Sequence, residues 1–149
     1  MTPERAVRCV EIRVIGLPAP QGSKRLVGRT RTGRGILVES SANVKPWREA
    51  VKWAAREELG GACVHGPVDV SMVFTLPKPK SAPKTRRTWP DKRPDADKLA
   101  RSTADALVEA GAIEDDARII RLRVEKVFPG EGPRSLDVPG AMISILGVA

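Results

Sequence analysis

Val68-Asp69-Val70-Ser71-Met72-Val73-Phe74-Thr75-Leu76 is the cleanest period-two run in the chain, with Val68, Val70, Met72, Phe74 and Leu76 on one side and Asp69, Ser71, Val73 and Thr75 on the other. Successive side chains of an extended backbone point to opposite faces, so this run predicts a core strand. Directly after it the composition changes. From Pro77 to Pro94, Lys78, Lys80, Lys84, Arg86, Arg87, Lys92 and Arg93 are interleaved with prolines and almost no apolar residue, which predicts a mobile basic loop at about 77–94. A helix is expected from near Asp97 to Gly111, because Leu99, Thr103, Ala106, Leu107 and Ala110 form one stripe and Gly111 supplies a stop. Arg118 to Val127 then alternates Ile120, Leu122 and Val124 against Arg121, Arg123 and Glu125, a further strand.

Working outward, Pro46 suits the first turn of a helix, and Trp47, Ala50, Val51, Ala54, Ala55 and Glu58 recur at helical spacing up to Gly60-Gly61, so a helix is expected over about 46–59. Cys9 to Val14 alternates as a half-buried strand, and Met142 to Leu146 offers a last one. Between the first strand and the first helix, prolines and glycines from Gly16 onward predict loop, with Leu26-Val27 and Ile36-Leu37-Val38 as the arms of a hairpin. There is no internal repeat, and helices and strands are interspersed throughout. The expected fold is a single α/β (α+β) domain over 1–149, a mixed sheet with two main helices packed on it.

At 149 residues the chain can bury a core without disulfides or a structural metal. Twenty-six lysines and arginines against eighteen aspartates and glutamates leave a net charge of +8, which points to a polyanion, with nucleic acid as the default partner. Charge kept merely for solubility is the plainer alternative. Cys9 and Cys63 lie in no C-x-x-C pair, which argues against zinc and for reduced, intracellular thiols. No apolar run approaches the ~20 residues needed to cross a bilayer, and the N-terminus lacks the apolar core of a secretory signal, so a soluble cytoplasmic protein is expected.

Four aspartates stand out by position: Asp95 and Asp97 where the basic loop meets the second helix, Asp115 and Asp116 between that helix and the next strand. Mg²⁺ prefers hard oxygen ligands, usually one or two carboxylates with waters and a substrate phosphate, and clustered aspartates beside a basic loop match that need. Arg101 follows Asp97 by four residues, on one helix face, with Asp105 a turn further. A fourteen-residue helix spans ~21 Å, however, so a shared site requires the acidic turn to fold back along it. The bland readings are a helix cap, turn chemistry and a surface ion pair.

Arg93-Pro94-Asp95-Ala96-Asp97-Lys98-Leu99, then Asp105-Ala106-Leu107, Gly111, Asp115-Asp116 and Lys126 together resemble the central motif of RusA-type Holliday junction resolvases, over roughly a quarter of the chain. The resemblance implies a RusA-like fold and a Mg²⁺-dependent (or Mn²⁺-dependent) crossover junction endodeoxyribonuclease, working as a homodimer on branched DNA in recombination and repair. It implies metal-binding catalytic carboxylates at Asp95, Asp97 and Asp116, with Asp115 a neighbour. The family's catalytic lysine falls at Arg101, whose guanidinium keeps the charge but will not readily give up a proton. Lys98 stands where the family usually has asparagine. Gln21-Gly22-Ser23-Lys24-Arg25 also resembles the N-terminal loop of some RusA-like phage proteins, where such cations border the active site, though ordinary solvated loop cations fit as well.

The expected DNA-binding residues are Lys24, Arg25, Lys84, Arg86, Arg87, Lys92, Arg93, Lys98 and Lys126. Trp89 in the basic loop either stacks on an unpaired base or packs over the loop. Trp47 reads as core, and the isolated His65 carries no expected chemistry. Two rival readings stay open: a non-catalytic branched-DNA-binding module, and a nuclease acting on other branched DNA.

Overall fold

A computed structural model describes residues 7–22, 24–29, 35–39 and 43–148, with side chains described for 7–22 and 43–148. The elements are β1 (Cys9–Ile15), β2 (Lys24–Arg29), β3 (Gly35–Glu39), α1 (Val44–Leu59), β4 (Val68–Thr75), α2 (Ala96–Glu109), a 3-10 turn over Asp116–Arg118, β5 (Ile119–Val127) and β6 (Gly140–Gly147). β2 and β3 form the expected hairpin, and the other four strands make one mixed sheet in the order β1-β6-β4-β5. β6 runs antiparallel to both neighbours, whereas β4 and β5 are parallel. Parallel neighbours need a long crossover, and the basic loop with α2 supplies it. The result is the expected α+β arrangement of a mixed four-stranded sheet with two helices.

The alternations do what their period dictates. Val10, Ile12 and Val14 of β1 are buried and Cys9, Glu11, Arg13 and Ile15 are exposed. β4 departs from simple alternation: Val73 and Thr75 are buried as well as Met72 and Phe74. The β5–β6 connection explains it, since buried Leu136 donates its N–H to Thr75 Oγ1 at 2.9 Å, covering that end of the strand on its second face.

α1 begins two residues before the expected start, so Pro46 sits inside the first turn, where a missing N–H costs nothing. Gly60 ends it at φ 56, a left-handed conformation that glycine adopts freely. Trp47 is the hub between the layers. Its ring meets Phe74 of β4 at 6.3 Å, and its buried Nε1–H donates to Thr103 Oγ1 of α2 at 3.0 Å. Thr103 in turn donates to the Leu99 carbonyl at 2.8 Å. The segment after β1 is fixed to α2 as well: Ser102 Oγ donates to the Ala19 carbonyl, and the Gln21 N–H to the Lys98 carbonyl.

The basic loop at 77–94 is anchored from the β5–β6 connection and from β5. Glu131 accepts from Lys78 Nζ at 2.8 Å and from the Thr88 N–H at 3.0 Å, holding two distant points of the loop with one carboxylate. Lys78 also lies over the Phe128 ring. At the far end, Lys126 Nζ donates to the carbonyls of both Lys92 and Pro94 at 2.9 Å.

Two stability predictions follow from these contacts. Thr103→Val leaves the buried Trp47 N–H without an acceptor and is expected to cost about 1–3 kcal/mol in chemical denaturation; an unchanged midpoint would contradict the assigned role. Glu131 is held below the ordinary glutamate pKa, chiefly by Lys78 and further by the Thr88 N–H, against an opposing effect of burial. A lowered folded-state pKa contributes stability above the unfolded value that is lost as pH falls through the folded one. Wild type should therefore exceed Glu131→Gln in melting temperature at pH 7, and the gap should close below pH 4.5, the ordinary glutamate value.

Candidate functional site

Asp95 occupies the N-cap position of α2 in an extended conformation, yet its side chain makes no capping hydrogen bond. The cap reading thus accounts for its place in the chain but not for its carboxylate, which is half exposed and lies 3.8 Å from Lys98 Nζ, an exposed pair worth little energetically. Asp97 stands exposed in the first helical turn. Arg101, also exposed, is one turn on, and partly buried Asp105 one turn beyond that. Asp97, Arg101 and Asp105 so make an alternating charged stripe along α2.

The acidic turn lies at the other end of this stripe. Asp115 caps the 3-10 turn, its Oδ1 accepting the Ala117 N–H at 3.0 Å. The neighbouring Asp115 carboxyl pushes that of Asp116 above the ordinary aspartate range; burial and Asp105 push the same way, against the Ala117 N–H. Asp115 is correspondingly held low, first by Asp116 and then by the Ala117 N–H. Asp115 is thus engaged by the turn, and Asp116 stands exposed beside it.

Asp116 feels Asp105, which is ten residues and about 15 Å along the helix axis from Asp95, and about 12 Å from Asp97. Among the described residues no group of three or more His, Cys, Asp or Glu side chains is gathered so as to hold a metal ion within one chain. The donor chemistry of Asp95 and Asp97 suits a hard divalent cation.

The expected DNA-binding cations divide by what they already touch. Lys84, Arg86, Lys92 and Arg93 are exposed and make no ion pair among the described residues. Arg87 lies 3.9 Å from Glu125 and stacks over the Trp89 ring at 3.9 Å. Lys98 pairs with Asp95, and Lys126 uses two of its three donors on the backbone that leads into α2. Lys24 and Arg25 open β2, and their side chains lie outside the described residues. The Gln21 N–H bond to Lys98 nevertheless brings that segment to the start of α2 three residues before Lys24.

β5 is an edge strand of the sheet. Leu122 and Val124 pair with Val70 and Met72 and share their face, yet Ile120 is 54% and Leu122 49% exposed. An uncovered apolar edge strand is a pairing surface. Periodicity shows which side a residue faces, and nothing in it tells whether a helix covers that side. Glu131 likewise carries no sequence signal beyond being an acid in a Pro/Gly-rich turn.

No helix among the described residues is long and apolar enough to cross a membrane. No curated protein matches the chain. The family model for endodeoxyribonuclease RusA matches residues 17–136, which include both aspartate clusters, the basic loop, Arg101 and Lys126. This chain belongs to the RusA endodeoxyribonuclease family.

Proposed function

We propose that the protein resolves four-way DNA junctions by divalent-metal-dependent phosphodiester hydrolysis, as a homodimer in which Asp95 and Asp97 of one protomer and Asp116 of the partner subunit form each metal site. The observation that carries this reading is the placement of the carboxylates at opposite ends of an uncovered edge strand. Lys126, near the end of β5, touches Pro94 beside Asp95, whereas Asp116 precedes the start of β5. Two β5 strands pairing antiparallel about a two-fold axis near Arg121 would set residue 116 of one copy against residue 126 of the other, next to its Asp95. The same pairing covers Ile120 and Leu122 and leaves no uncovered strand at that edge.

The donor set of such an interface is three carboxylates, which fits Mg²⁺ or Mn²⁺. Bound there, the cation would offset the negative charge of the site and activate a water for in-line attack on the phosphodiester. Arg101, one turn from Asp97, stabilises charge developing on the phosphate, and its guanidinium holds its proton throughout. Lys84, Arg86, Lys92 and Arg93 draw in and orient the flanking phosphates. An isologous dimer carries two such sites, which suits paired cuts across a junction with two-fold character. Because Glu131 and Lys126 fix the basic loop to the sheet, the cations and the start of α2 stay in one frame.

Asp97→Asn should bind a synthetic four-way junction as wild type does but cut it slower by about two orders of magnitude or more; retained cutting would remove Asp97 from the site, and parallel assays on forks and linear duplex decide the substrate. Leu122→Glu should sediment as a folded monomer and lose cleavage. A Leu122→Glu protein that stays dimeric and active rules out the β5 edge as the interface.

A further inference from the structure

Beneath the basic loop lies a cavity of about 530 Å³, within the range of ~300–1,000 Å³ usual for ligand sites. Leu17, Leu76, Phe128 and Trp89 supply its apolar wall, and Pro94, the residue before Asp95, borders it. The cavity thus opens beside the carboxylates at the start of α2. Phe128 and Leu76 are buried, whereas Trp89 remains 53% exposed. One face of its indole carries Arg87 at 3.9 Å, which leaves the opposite face for stacking.

Thr88 also lines the cavity. Its backbone N–H is taken by Glu131, but its buried Oγ1 has no hydrogen-bond partner among the described residues. That oxygen is closed off from the open space of the cavity, so Thr88 contributes wall there rather than a hydrogen bond. Asp91 lines the cavity too and offers an acceptor for an exocyclic amine. Lys92 and Arg93 lie at the same wall, exposed and without ion pairs among the described residues. An apolar slot with an aromatic face, an acceptor at Asp91 and a cationic rim matches a nucleotide: a flat base inside, its phosphate outside.

We propose that this cavity takes one unstacked nucleobase of the DNA, at the branch point next to the cleaved phosphate, and so contributes to the choice of cutting position. The proposal rests on the branched-DNA reading above. Branch-point bases are the least costly to unstack, which ties this site to junctions rather than to uniform duplex.

The test is a cycle of protein and DNA changes, read as junction binding in EDTA so that no strand is cut. Junctions with a single abasic nucleotide are scanned through the branch point, against wild type, Trp89→Ala, Trp89→Phe and Asp91→Ala. At one position the abasic nucleotide should weaken wild-type binding about tenfold, with little further effect on Trp89→Ala, whose binding is already weaker by a similar factor. Trp89→Phe should restore most of the loss, and Asp91→Ala should narrow the difference between bases at that position. If the protein binds no junction, the nuclease reading and this proposal fall together. If it binds, but every abasic position costs wild type and Trp89→Ala the same factor, the cavity holds no base and only this proposal is overturned.

Discussion

α2 is a rigid rod with acidic groups at both ends, and the arrangement of the site depends on that rigidity. Backbone hydrogen bonds fix a rise of about 1.5 Å per residue, so Asp95 and Asp97 cannot approach Asp105 and the Asp115-Asp116 turn beside it. The helix is itself locked in place. Trp47 bonds Thr103 across the helix–helix contact, Ser102 and Lys98 hold the segment after β1, and Leu99 and Leu107 are fully buried. A metal set that includes Asp116 therefore has to be completed by something other than bending α2. The β5 edge offers the means, because a two-fold axis across it exchanges the two ends of the strand.

A second constraint concerns charge. Cations that attract DNA repel one another, and a loop rich in lysine, arginine and proline has little apolar surface with which to hold a position. Glu131 and Lys126 solve this from opposite ends: a carboxylate grips Lys78 and the Thr88 N–H, and an ammonium grips the carbonyls of Lys92 and Pro94. Both contacts are made to the loop from the end of β5 and the connection that follows it. The strand that presents the uncovered edge thus also holds the loop and the backbone that leads into α2.

Much of this was legible in the sequence, for identifiable reasons. β1, β4, α1 and α2 lie within two residues of their expected limits, because each buries one face and its side-chain period records that face. The aspartate spacing and Arg101 were legible as a family resemblance, and the match over residues 17–136 bears out that recognition. Which helix end each carboxylate occupies could be read as well. Contact across sequence distance could not: the 3-10 turn against α2, Glu131 reaching into the basic loop, and Leu136 burying the second face of β4 all depend on how elements pack, which no local period encodes. Asp95 illustrates the difference, since its position reads as a cap while its carboxylate caps nothing in the folded chain.

The sharing of each site between two protomers is most directly tested by complementation. Asp97→Asn and Asp116→Asn proteins, each inactive alone, are co-expressed and assayed for nicking of a four-way junction. If the carboxylates come from different protomers, a mixed dimer has one site with both defects and one intact, so random pairing recovers about a quarter of the wild-type sites, as single nicks rather than paired cuts. If all three carboxylates serve within one chain, every site in the mixture is defective. Absence of nicking in a verified mixed dimer would contradict the account.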